Sequence, residues 1–279
     1  MTVLTFSILL LIVSCLAGLL GALTGLGGGV VLIPVLVFLL HVNIHYAMGA
    51  SLISVIATSS GTSIAYLREG YTNIRIGMFL EVGAVIGALL GAIVVTLIPS
   101  RLIAIIFGFV LFISVYLTLK RREDSESDPQ TSHSWAIYLG LNGSQSTIGE
   151  HKFYSVQNPP LALAIMTLAG GLSGLLGIGS GALKVLAMDQ AMRLPYKVAT
   201  TTSNFIIGIT AAVSAGIYFS NGYIDPGLTF PVMVGVLIGA WIGARMLAFI
   251  HHTRLRLVFS IVVFFLALEM IYKGLIGNL

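Results

Sequence analysis

Gly25-Leu26-Gly27-Gly28-Gly29, the stretch GLGGG, interrupts an apolar run that extends from Thr5 to Leu40. A helix that only has to cross a bilayer gains nothing from three consecutive glycines at mid-length, because glycine weakens a helix and admits positive φ. The chain repeats the device at Gly177-Ile178-Gly179-Ser180-Gly181, inside a second long apolar run, residues 161–192. Each run is too long for one simple crossing, and each glycine cluster splits it into two shorter pieces.

The sequence around the clusters is that of a membrane protein. The 279 residues are 57% hydrophobic and only 9% charged, with mean hydropathy +1.02, whereas soluble domains carry about 25% charged residues. The apolar character continues along the whole chain, so the first segment reads as mature membrane structure rather than a cleaved leader. The pI near 9.3 comes from basic residues at segment ends, which fits membrane loops and not nucleic acid. Cys15 is the single cysteine, so no intramolecular disulfide can form. Residues 46–67, 76–98, 102–119, 198–219, 228–250 and 255–272 are further apolar stretches of a length suited to spanning.

Three regions follow: a first membrane repeat over 1–119, a linker over 120–160, and a second membrane repeat over 161–279. The linker opens with Lys120-Arg121-Arg122-Glu123-Asp124 and is rich in Ser, Asn and Gln. It is expected to be a cytoplasmic loop, with the short apolar patch 135–141 near the membrane interface. The two repeats align without gaps when the chain is shifted by 152 positions, which places Gly25 on Gly177. Roughly twenty paired positions are identical over 17–92 against 169–244. They include Gly27 with Gly179, Gly29 with Gly181, Ser51 with Ser203, and Tyr66 with Tyr218. Gly83, Gly87 and Gly91 meet Gly235, Gly239 and Gly243; their spacing of four puts each trio on one helix face, suited to close packing.

The basic residues decide how the repeats are oriented. If each split segment were one broken crossing, the repeats would be parallel, with about seven basic residues on one side and six on the other. If each is a hairpin that returns to its starting side, the repeats are inverted. About eleven basic residues then lie inside, with only Arg101 and Lys273 outside and Lys184 within the membrane. The expected fold is therefore all-α and polytopic: two inverted repeats, each a glycine-broken re-entrant hairpin plus three transmembrane helices. Both termini are expected outside.

Non-helical backbone inside a bilayer is tolerated only where it is buried in protein or lines a watery cavity. A helix that starts after such a break presents free N–H groups and the positive end of its dipole. The two breaks can thus hold one anion between the amides of Gly27, Gly28 and Gly29 and those of Gly179, Ser180 and Gly181. Lys184 lies in the first turn after the second break, where an intramembrane lysine is a functional candidate. Its structural alternatives are a salt bridge to Asp189 or snorkelling to the surface. Ser51, Thr201, Thr202, Ser203 and Asn204 supply further polar groups at the start of the helix after each hairpin, although membrane hydroxyls often bond their own backbone. Asp189, Glu81 and Glu269 are charges in or near apolar runs, each able to carry a coupled proton or to pair with a base; Asp189 and Glu81 are the proton-coupling candidates.

A glycine-rich break, an Ala-x-x-x-Ser helix start and a Gly-x-x-x-Gly-x-x-x-Gly-Ala helix, all repeated around a hydrophilic loop, resemble the TauE/SafE family of sulfite exporters. The resemblance implies a multi-pass cell-membrane transporter for sulfite, sulfonates or related small organic anions. The first half keeps the family's Gly-x-Gly-Gly-Gly run followed by Pro34. The second half departs from it: Ser180 replaces a glycine, Leu186 stands where Pro34 repeats, and Lys184 is added. The expected function is export of a small sulfur oxyanion, sulfite first, by alternating access. The alternatives are import of an organosulfonate or other small organic anion, or a passive anion channel.

Enzyme chemistry is not expected. Gly171-Leu172-Ser173-Gly174 matches the Gly-x-Ser-Gly of rhomboid-type proteases, but the six histidines all fall in loops or at segment ends. Phosphate-loop, dinucleotide and metal-ligand patterns are absent, so no cofactor or metal is implied. The expected partners are the small anion and the lipid bilayer, and a homodimer is compatible with the sequence.

Overall fold

The computed structural model describes residues 3–24, 27–68, 72–119, 134–147, 150–246 and 252–277. Gly25, Leu26 and the charge run that opens the linker lie outside these residues. The first half comprises α1 (Val3–Thr24), α2 (Gly29–Leu39), α3 (Ile44–Arg68), α4 (Ile74–Val94, extended by a 3-10 turn Val95–Leu97) and α5 (Ser100–Leu119). The linker contributes α6 (Ser134–Tyr138) and an antiparallel hairpin of β1 (Gly143–Thr147) and β2 (Glu150–Tyr154). The second half comprises α7 (Pro159–Leu176), α8 (Gly181–Leu186) leading into a π-helical turn Ala187–Ala191, α9 (Tyr196–Ser220), α10 (Pro226–Met246) and α11 (His252–Ile276).

Among the described residues five helical stretches are long and apolar enough to cross a bilayer: Thr5–Ala22, Ile74–Leu97, Pro159–Leu176, Lys197–Ser220 and Pro226–Gly243. Gly29–Leu39 and Ser100–Tyr116 are shorter apolar helices. The chain is a polytopic, helical membrane protein, and the small linker hairpin is its one departure from the all-α expectation among the described residues. The arms around each glycine break are unequal. α1 has 22 residues, about 33 Å at 1.5 Å per residue, while α2 has 11, about 16 Å. α7 has 18 residues and α8 only 6 before its π-helical turn.

Helix ends follow local chemistry. The Asn73 side chain accepts from the Ile76 amide at 3.1 Å and caps α4. Its counterpart Asp225 takes the Gly227 amide at 2.9 Å at the start of α10. Two prolines open α7, and Gly177 closes it with φ +67°.

The halves exchange partners. α1 packs along α10, α7 along α4, and α5 along α11, while α3 packs against α9. The glycine trios make the first two seams. A Cβ on Gly87 would enter the Thr167 carbonyl and one on Gly239 the Cys15 carbonyl, so backbones touch backbones here. Both seams keep register in the same direction: Gly235, Gly239 and Gly243 meet Leu11, Cys15 and Leu19, and Gly83, Gly87 and Gly91 meet Leu163, Thr167 and Gly171. α4 also runs with α9, through Asn73 with Thr202, Gly77 with Ile206 and Glu81 with Thr210. The other face of α4 carries exposed Val82, Ile86, Leu89 and Ile93, as a lipid-facing surface would.

The linker docks on one end of the bundle. Ala136, Leu141, Tyr154 and Val156 are buried with Ile76, Leu80, Met188 and Met192. Asn73 Nδ2 donates to the Tyr154 hydroxyl at 2.8 Å. Burial pushes the Tyr154 phenol above its ordinary range, and that hydrogen bond pulls the other way.

Candidate functional site

The two breaks share positive φ of nearly equal size at matched positions. Gly27 and Gly179 have φ +74° and +73°, and Gly28 and Ser180 have φ +39° and +41°. His41 and Arg193, also related by the 152-residue shift, have φ +52° and +54°. Ser180 therefore holds a conformation that favours glycine, stabilised by its hydroxyl donating to the Ala169 carbonyl.

The breaks also meet. Val55 on α3 and Ile207 on α9 are repeat mates, and both lie against Gly27 and Gly179. Gly29 lies close to the Ile178 backbone and so close to Ser51 that a Cβ would strike its hydroxyl. Ser51 Oγ donates across the repeats to the Gly177 carbonyl at 2.7 Å. Ser203 Oγ donates to the Gly181 carbonyl at 3.3 Å. Gly27, Gly28, Gly29, Gly179, Ser180, Gly181, Ser51 and Ser203 thus form one buried neighbourhood where α3 meets α9.

Carbonyls and amides at the breaks are partly paired already. The Gly29 amide turns back to Gly27 O, and those of Val31 and Leu32 reach Gly28 O at 3.1 and 3.0 Å. In the second half Leu183 and Lys184 amides reach Ser180 O, each at 3.1 Å. Among the described residues the Gly181 amide has no acceptor.

The hydroxyl cluster divides by role. Thr201 bonds back to Lys197 O at 2.9 Å, the self-satisfied arrangement common in membrane helices. Thr202 accepts from the Asn73 amide at 3.0 Å and ties α9 to α4. Asn204 sits between Ser203 and Ile207 on α9, and its carbonyl accepts from Ser59 Oγ at 2.6 Å. Its side-chain Nδ2 is buried with no partner, as is Thr200 Oγ1. An unpaired buried amide is a donor awaiting an acceptor.

Lys184 is fully buried and pairs with Glu81 Oε2 at 3.3 Å. The sequence had offered Asp189 as its ion-pair alternative. Asp189 instead lies on the π-helical turn, partly exposed and engaged elsewhere. A residue not singled out from sequence completes the group: Thr210 accepts from Lys184 Nζ and donates to Glu81 Oε1. The only advance signal was that Thr58 and Thr210 align across the repeat. The triad draws on α4, α8 and α9, and on α9 it lies one turn from Ile207 at the meeting of the breaks.

A separate groove of about 450 Å³ between α3, α9 and α10 is lined by Ile53, Phe219, Ile224 and Met233 among others, a mostly apolar wall. Ser51, Lys184, Ser203 and Asn204 do not line it.

Residues 10–270 match the family model described as Sulfite exporter TauE/SafE. The chain belongs to this family. It is 29% identical over 276 residues to the probable membrane transporter protein YunE of Bacillus subtilis (strain 168), covering 96% of this chain and 98% of that one. It is also 29% identical over 244 residues to the probable membrane transporter protein YdhB of the same organism, covering 85% and 89%. A probable membrane transporter protein of Xylella fastidiosa (strain 9a5c) is 26% identical over 92% of this chain and 93% of its own. No solved structure matches the chain. The family and its relatives make this a membrane transporter.

Proposed function

We propose that the protein is a secondary transporter that moves a small sulfur oxyanion, sulfite first, out of the cytoplasm by alternating access. The observation that carries this reading is the meeting of the two glycine breaks at Val55 and Ile207, beside the unpartnered Asn204 amide. The anion sits there, held by backbone amides near Gly27–Gly29 and Gly179–Gly181 and by polar groups of Ser51, Ser203 and Asn204. Lys184 supplies the positive charge from the adjacent turn. Thr201 and Thr202 shape the same helix start through their bonds to α9 and α4.

Inverted repeats with re-entrant hairpins are supported by the helix directions. α7 and α9 run with α4, whereas α1 runs with α10. Five residues, 221–225, join α9 to α10, and so short a connection between membrane-length helices reverses the chain. α1 and its repeat mate α7 therefore point opposite ways, which is the arrangement in which two repeats rock about a central site. The positive-inside bias then puts the docked linker on the cytoplasmic side and both termini outside.

A thermal-shift series on the purified protein with sulfite, sulfate, thiosulfate, taurine and lactate tests the assignment. Stabilisation by a sulfur anion is the expected result; a flat response to all of them refutes it. Lys184→Ala with an unchanged sulfite response would remove that residue from the site.

A further inference from the structure

We propose that Glu81 is the proton site of this transporter, and that an anion arriving at Lys184 is exchanged against the Glu81 carboxylate so that one proton enters with it. The inference rests on the anion-transport reading above and deepens it.

The geometry starts from three side chains on three elements. Lys184 from α8, Glu81 from α4 and Thr210 from α9 satisfy one another in a site where the lysine is 0% and the glutamate 5% exposed. As a pair they carry no net charge. A buried ion pair is seldom kept for stability, since well-packed apolar side chains serve as well or better. This chain contains that comparison within itself. Shifted by 152 residues, the same three positions in the other half are Leu32, Met233 and Thr58, which hold no charge. The architecture is therefore built once with the ion pair and once without it. What the pair adds is chemistry.

An anion in the break neighbourhood lies one turn from Lys184. Once the ammonium turns to it, the Glu81 carboxylate is left buried with a single hydroxyl partner, a state that burial strongly disfavours. Taking a proton from water removes the charge. The balance is anion⁻ plus H⁺ plus the Lys⁺–Glu⁻ pair giving the Lys⁺–anion⁻ pair plus neutral Glu, so charge is conserved and no other reactant is needed. Release on the far side reverses it, and each turnover carries one proton with one anion charge.

Among the described residues Glu81 has no other ionic partner. Arg75 on α4, Lys197 on α9 and Arg101 on α5 are exposed, Asp189 on the π-helical turn is half-exposed, and α7 carries no charged residue. Tyr218 on α9 is buried and bonds the carbonyls of Gly174 and Leu175 instead. Among the described residues the hydrogen bonds to the Glu81 carboxylate come from Lys184 and Thr210.

The test compares the sulfite affinity of wild type and Glu81→Gln, as full chains in lipid nanodiscs, at pH 6, 7 and 8. Sulfite's own titration is common to both and cancels in the ratio. The wild-type dissociation constant should rise about tenfold more per pH unit than that of E81Q, as one linked proton requires. Equal slopes in the two proteins overturn the proton site and leave the transporter reading intact. No binding of any of the five test compounds to wild type, at any pH, overturns both. Should E81Q fail to fold, the double variant Glu81→Met with Lys184→Leu, built from the residues the other half uses, keeps the question open to decision. It should fold and lose sulfite binding; retention of the wild-type affinity and pH slope overturns the proposal.

Discussion

Gly87 on α4 and Gly239 on α10 occupy matching positions in the two backbone-to-backbone seams, and alanine at either should loosen the bundle. A methyl group at Gly87 meets the Thr167 carbonyl and one at Gly239 the Cys15 carbonyl. Neither obstacle can rotate away, because each is a helix backbone, so the seam must open along its length. Overpacking by a methyl costs about 1–3 kcal/mol, and a backbone obstacle belongs at the upper end. Against this stands about 1 kcal/mol gained by alanine over glycine within a helix. The net loss is about 2 kcal/mol, or about 4–8 °C in Tm for a chain of this size class. Gly61 and Gly216 are the controls, since nothing lies within 4 Å of a Cβ at either. Alanine there should keep the propensity gain and raise stability by up to about 1 kcal/mol. Thermal unfolding of the detergent-solubilised protein, followed by fluorescence of its two tryptophans, separates the pairs. If Gly87→Ala unfolds no earlier than Gly61→Ala, the seams are not close-packed as described.

Three further outcomes are expected. Ser180→Gly relieves a strained left-handed residue but loses the bond to Ala169, gains and losses of about 1 kcal/mol each, and should leave Tm nearly unchanged. Ser180→Val should lower stability by about 2 kcal/mol, because a β-branched residue tolerates positive φ poorly; equal melting of the two variants contradicts the backbone assignment. Asn204→Leu, which installs the residue of its repeat mate Leu52, should raise stability by about 1 kcal/mol by removing an unpaired buried donor, and should weaken sulfite binding. A variant that binds sulfite as wild type does removes Asn204 from the site. Tyr154→Phe deprives Asn73 of an acceptor and should make the linker more sensitive to limited proteolysis. Because burial raises the Tyr154 pKa above its ordinary 10.0, linker docking in wild type is complete at lower pH and weakens as pH climbs past that value. The phenylalanine variant should lack this alkaline response.

Much of the fold was legible in the pattern of residues. Lipid leaves the backbone no hydrogen-bonding partner but itself, so helices were the only option for the apolar segments. The 152-residue repeat is visible because the glycines and Ser51 and Ser203 sit where geometry admits few other residues. Ser180 shows the limit of such matching: the side chain changed while the φ of Gly28 was kept. The linker hairpin was not legible, since its short polar strands resemble any loop.

Length, hydropathy and the repeat by themselves determined a helical membrane protein of two related halves, with its special backbone at two points. They also marked Lys184 as a charge that lipid would not tolerate alone. Tertiary structure alone decided what Lys184 faces. Its partner Glu81 is separated from it by 103 positions, in the other repeat, whereas Asp189 was the neighbour that sequence offered. Helical periodicity relates residues a few positions apart on one helix, but the partner across a seam depends on which helices exchange between the halves. That exchange is set by small residues at the seams letting α4 approach α7 and run beside α9. It brings Glu81, Lys184 and Thr210 to one buried point beside the meeting of the two glycine breaks.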